Sequence, residues 1–139
     1  MQAALPGMRA RGWGRIVNVA SVHGRVASVN KSAYVAAKHG LIGLTKSVAL
    51  ETAGSGITVN AISPGWVLTP LVQAQIESRA AASGRDVTDE EQSLLLEKQP
   101  SGAFVRTEDV GHLAAFLCTP AADQITGEDI AMDGAWSAR

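Results

Sequence analysis

Apolar residues recur along this chain in two rhythms. Short, nearly unbroken runs rich in β-branched side chains lie at 15–21 (RIVNVAS) and 57–63 (ITVNAIS), and 128–134 (EDIAMDG) reads as the last strand. The 15–21 run, behind the glycines of GWG, reads as a strand buried on both faces, as in a parallel sheet, and 57–63 reads the same way. Between the strands the period lengthens. Over 32–52, Leu41, Leu44 and Val48 recur at three and four residues and mark one apolar stripe of a helix. The AGSG at 53–56 stops it, because glycine adopts a left-handed C-terminal conformation without a Cβ clash. From Thr69 to Lys98 the pattern is helical but broken by ASGRDV, and Thr88 with Glu91 spells a capping box for the second part. A further helix spans 108–117 behind Thr107 as N-cap, with Val110, Leu113, Ala114 and Leu117 on one face. Strand, helix, strand, helices, strand implies an α/β fold with parallel pairing through crossover connections. Three strands are few for such a sheet.

Composition narrows the class without naming a chemistry. The 139 residues fit one domain, with 46% hydrophobic and 18% charged residues, and a formal charge of -1 makes no electrostatic case for nucleic acid or an anionic membrane. No apolar run approaches the ~18 residues of a membrane span, and the first fifteen residues lack a secretory apolar core. Cys118 is the single cysteine, so no internal disulfide can form and a reducing, cytoplasmic compartment is the expectation.

The chemistry concentrates in SVHGRVASVNKSAYVAAKHG, 21–40. Tyr34 and Lys38 are one helical turn apart on one face. A phenol is a poor base at neutral pH, and a neighbouring ammonium favours its anion, which could then exchange a proton with a substrate oxygen. Ser21 ends a strand at the carboxyl edge of the sheet, where open α/β sheets hold their ligands. Either feature alone is ordinary; serine, thirteen-residue gap and Tyr-x-x-x-Lys, followed by a strand ending in Pro64-Gly65, form a much more specific pattern. Elsewhere the signals are structural: Gly54-Ser55-Gly56 leaves a helix rather than entering one, Asp86, Asp89, Glu90 and Glu91 read as helix-start charges, His39 and His112 have no ligand partner for a metal, and Cys118 reads as packing.

IVNVAS, YVAAK, VNAISPGWVLTP and ITGEDIAMDG together resemble the C-terminal half of the short-chain dehydrogenase/reductase family, and the likeness covers nearly the whole chain. It implies a partial Rossmann-like, doubly wound parallel sheet of three strands with flanking helices, 1–139 forming one partial dinucleotide-binding domain. It also implies that Ser21 and Tyr34 contact the reacting oxygen and that Lys38 holds the nicotinamide ribose and tunes the tyrosine. Pro64, Gly65, Trp66, Val67 and Thr69 would form the nicotinamide-side loop. Within the family the sequence is most similar to bacterial 3-hydroxybutyrate dehydrogenases, which interconvert 3-hydroxybutyrate and acetoacetate with NAD. That likeness puts His23, Lys31 and Gln75 around the substrate carboxylate and Trp66 and Trp136 at its apolar walls. Taken one by one, Lys31 could be a solvated loop charge, His23 a turn residue, Gln75 an exposed helix position, and the tryptophans packing or subunit contacts.

The family's glycine-rich turn, cofactor-selecting acidic residue and catalytic asparagine have no counterpart here. By the resemblance, Ala3, Ala4, Leu5 and Met8 belong to the end of a helix stopped by Gly12, and the chain is a truncated one with little dehydrogenase activity alone, its 15–21 strand an exposed edge. Homo-oligomerisation is the family's expectation. A competing reading is a non-catalytic assembly module that pairs with full-length relatives; another keeps the enzyme and changes the substrate to a different short hydroxy acid or ketone.

Overall fold

The computed structural model describes residues 1–138. A short helix α1 (Leu5–Arg11) leads into strand β1 (Gly14–Val19), a single 3-10 turn (Val22–Gly24), helix α2 (Ser32–Thr52) and strand β2 (Ile57–Pro64). Helices α3 (Pro70–Ser83), α4 (Val87–Lys98) and α5 (Thr107–Leu117) follow, then a 3-10 turn (Pro120–Ala122) and strand β3 (Asp129–Met132). The sheet order is β1-β2-β3, parallel throughout, with Ile16 beside Val59 and Ile62 beside Ile130.

Alternation along β2 divides the core into two layers. Ile57, Val59 and Ala61 face α2, where they meet Ile42, Val48 and Ala49, with Leu5, Met8 and Ile16 packed alongside. Ile62 faces the opposite side and packs with Leu117, Ala122, Val17, Val110, Leu113 and Ala114, so the α5 stripe lies where its period puts it. β2 is buried along its whole length because it has strands on both edges and helices on both faces. β1 differs from the sequence expectation. It is not buried on both faces; most of it is half-buried and Val19 is 56% exposed, because among the described residues only β2 pairs with it. The edge foreseen for this strand is therefore present.

Four local readings also change. α2 spans the residues its pattern indicates, but its buried face is Ile42, Thr45, Val48, Ala49 and Thr52, while Leu44 is 47% exposed. Two threonines can face the core because their hydroxyls bond back to the carbonyls of Leu41 and Val48 at 2.8 Å. The cap of α4 is Asp86, whose carboxylate accepts from the Thr88 amide at 2.8 Å, so the Thr88–Glu91 box does not form. Thr107 lies inside α5, with Arg106 at the N-cap position and no side-chain cap. Cys118 is exposed rather than packed. α1 ends as expected at Gly12, at φ 64°.

Glu90 joins α3 to α4. It is buried, accepts from Ser83 Oγ at 2.9 Å and meets Arg85 and Arg79. The Ser83 hydrogen bond first, and then the two guanidinium groups, hold its carboxyl below the ordinary value of 4.5. No helix among the described residues is long and apolar enough to cross a membrane.

Candidate active site at the carboxyl edge of the sheet

A cleft of about 630 Å³ opens beyond the carboxyl ends of β1 and β2. Its lining brings together Ser21, His23, Lys31, Tyr34, Gly65, Trp66, Val67, Thr69, Gln75 and Trp136. Lys38 and Pro64 are not part of the lining, but the Lys38 ammonium lies 5.6 Å from the Tyr34 ring centre and donates to the Val19 carbonyl at 3.0 Å. One helical turn and the end of β1 thus hold the hydroxyl, phenol and ammonium groups on one side of the molecule.

Ser21 follows the last sheet hydrogen bond of β1, from the Ala20 amide to Ile62, and caps the next turn by accepting from the His23 amide at 3.2 Å. Gly24 then allows that turn to press against α2, since a Cβ there would meet the Lys38 carbonyl at 2.9 Å. The serine is fixed relative to the tyrosine and lysine by this contact.

His23 is only 3% exposed and stands edge-on to two rings, Tyr34 at 5.9 Å and Trp136 at 5.3 Å. Burial, then the positive charges of Lys31 and Lys98, lower its pKa from 6.5 to about 4, so the imidazole is neutral at physiological pH. Its Nδ1 and the indole nitrogen of Trp66 are buried without a hydrogen-bond partner. Lys31 Nζ sits 5.4 Å from the Trp66 ring centre, and Trp66 and Trp136 are 5.9 Å apart. Polar groups and aromatic walls therefore share one cleft.

The Pro64–Thr69 segment is pinned from behind. Gly65 donates to the Met132 carbonyl at 2.9 Å, the Trp66 amide donates to Gln99 Oε1 at 2.8 Å, and the Trp66 carbonyl accepts from the Val105 amide at 2.9 Å. A Cβ at Gly65 would collide with Gln99 and approach the Asp133 backbone, so this glycine serves close packing. Thr69 caps α3 by accepting from the Val72 amide at 3.4 Å. Gln99 is fully buried, and its amide nitrogen also donates to the Ala103 carbonyl. Sequence reasoning passed over it, because an isolated glutamine at a helix end carries no sign of burial.

Over residues 1–137 the chain matches the family model described as enoyl-(acyl carrier protein) reductase, within the short-chain dehydrogenases. The chain belongs to the short-chain dehydrogenase/reductase family. This short-chain dehydrogenase is 60% identical over 136 residues to a D-beta-hydroxybutyrate dehydrogenase of Cupriavidus necator, covering 98% of this chain and 53% of the relative. It is 52% identical over 141 residues to the enzyme of that name from Rhizobium meliloti, covering 100% and 54%. In three dimensions it resembles L-sorbose reductase of Gluconobacter frateurii, solved with NADPH and L-sorbose: TM-score 0.91, 30% identity, 97% of this chain and 51% of that one. The chain spans about half the length of the curated relatives it matches. The Rossmann-like α/β class read from the sequence is that of these neighbours.

Proposed function

We propose that this chain carries the proton-transfer and substrate-binding side chains of an NAD-dependent, cytoplasmic 3-hydroxybutyrate dehydrogenase, which interconverts 3-hydroxybutyrate and acetoacetate. The observation that carries the reading is the single cleft that Ser21, Tyr34, Lys31, the buried His23 and two tryptophans line together, with Lys38 beside the tyrosine ring. The high identity to two D-beta-hydroxybutyrate dehydrogenases supports the substrate.

In this reading Ser21 donates a hydrogen bond to the substrate's C3 oxygen, and Tyr34 takes the hydroxyl proton during oxidation and returns it during reduction. The Lys38 ammonium stabilises the negative charge that develops on the phenol. A bound NAD would supply the hydride acceptor for C3. Lys31, His23 and Gln75 hold the carboxylate, and the indoles exclude water around the methyl end. Only the nicotinamide end of the cofactor has a matching surface here. Tyr34 and Val67 border the cleft, and Lys38 stands beside Tyr34 to meet the ribose. Among the described residues each strand-to-helix connection lacks a glycine-rich turn for the pyrophosphate. Dinucleotide affinity, and with it turnover by this chain alone, is accordingly low.

Titrating acetoacetate against the fluorescence of Trp66 and Trp136 is expected to give a saturable change. Acetoacetamide, its uncharged analogue, should give little. Equal responses to both would remove the carboxylate assignment.

We also infer association between copies, because Leu44 at 47% and Leu50 at 80% exposure leave apolar area on α2. Light scattering is expected to report a mass above 14.4 kDa; a monomer at micromolar concentration contradicts this part of the reading.

A further inference from the structure

Lys98, the last residue of α4, does not line the cleft, and nothing in the reading above uses it. Its surroundings are unusual for a helix-terminal lysine. Its ammonium lies 3.0 Å from Ser28 Oγ, on the segment between Ser21 and α2, and 5.6 Å from the ring centre of Trp136. Trp136 is 7% exposed and meets His23 edge-on. Toward solvent the lysine meets Glu97 at 3.9 Å, whose side chain is 52% exposed and therefore well screened. Each tryptophan of the cleft thus has a cation near its ring, Lys31 at Trp66 and Lys98 at Trp136. Lys31 can touch a ligand; Lys98 is separated from it by an indole.

We propose that Lys98 is a positioning residue for the anionic end of the cleft: it ties the Ser28 segment to the back of Trp136 and raises the positive potential at His23, so that the cleft prefers a small monocarboxylate over a neutral molecule of the same shape. The inference deepens the substrate assignment and rests on it for the identity of the anion. Among the described residues, the charged and titratable groups near His23 include Lys31 before α2, Tyr34 on α2 and Lys98 at the end of α4. Of these, Lys98 alone acts through a wall rather than from the cleft surface. A field of this kind needs no contact with the ligand, and packed side chains, which cannot reorient as solvent does, screen it less than water would.

Lys98→Met keeps the hydrocarbon stem and removes the charge; Lys98→Arg keeps the charge. Two readouts separate a field from simple packing. The first is the titration of the His23 ring by NMR, assigned with His23→Gln. Its midpoint, held down first by burial and then by Lys31 and Lys98, is expected to rise in Lys98→Met by only the smallest of these three contributions and to return in Lys98→Arg. The second is the ratio of acetoacetate to acetoacetamide affinity, expected to fall about three- to tenfold in Lys98→Met, the size of one partly screened charge, and to recover in Lys98→Arg. An unmoved His23 midpoint, or an equal loss for both ligands, overturns the proposal. If the parent protein binds neither ligand, the functional reading fails by itself and the His23 midpoint still decides whether Lys98 acts at this site.

Discussion

Tyr34→Phe is expected to abolish reduction of acetoacetate while leaving the cleft intact. Removing one general acid–base group costs about 10²–10⁴-fold in rate, and phenylalanine keeps the ring that His23 and Lys38 contact. The measurement is a single-turnover absorbance trace at millimolar NADH, a concentration that offsets weak dinucleotide affinity by mass action. Acetoacetate affinity, read from tryptophan fluorescence, should change little, because carboxylate binding is assigned to Lys31, His23 and Gln75. The rate should fall and the affinity stay. A Tyr34→Phe protein that reduces acetoacetate at the parent rate would end the assignment of Tyr34 as proton donor, and with it the dehydrogenase chemistry of this cleft.

The second large effect is loss of stability in mild acid. The unfolded chain protonates His23 at 6.5, whereas the folded chain resists until about 4. Between those values the unfolded state binds more protons, so stability decreases as pH falls. The contribution is complete above 6.5 and gone below 4. It amounts to at most roughly 3 kcal/mol, less whatever water in the open cleft screens. Urea unfolding near neutral pH and at about pH 4.5 should reveal it, and His23→Gln should flatten the dependence across that interval. Glu90 acts in a different window. Its carboxyl is held below 4.5 by Ser83, Arg85 and Arg79, so its contribution is lost only as pH falls through that lowered value. A flat profile between pH 6.5 and 4 would mean that His23 is hydrated, with its Nδ1 satisfied by solvent.

Features written in neighbouring residues were legible without coordinates. The bounds of α2, the strand read at 57–63, the stop at Gly12 and the i, i+4 pairing of Tyr34 with Lys38 all follow from the rise of a helix, the pleat of a strand and the freedom of glycine. The cap of α4 is ambiguous in sequence because Asp86 and Thr88 are both competent, and the choice depends on how the α3–α4 turn is closed by Glu90. The apolar stripe of α2 was displaced by one position for a similar reason: Thr45 and Thr52 pass as polar in a pattern, yet bury readily once their hydroxyls bond within the helix.

What the sequence by itself determined is the order and type of the elements and the presence of a hydroxyl, a phenol and an ammonium at compatible spacing. The tertiary structure alone decided that Gln99 fastens the Pro64–Thr69 segment and that Lys98 reaches Trp136 and the Ser28 segment. Local pattern reflects backbone geometry over a few residues. Burial, orphaned nitrogens and electric fields arise between residues tens of positions apart, which only the folded chain brings within a few ångströms.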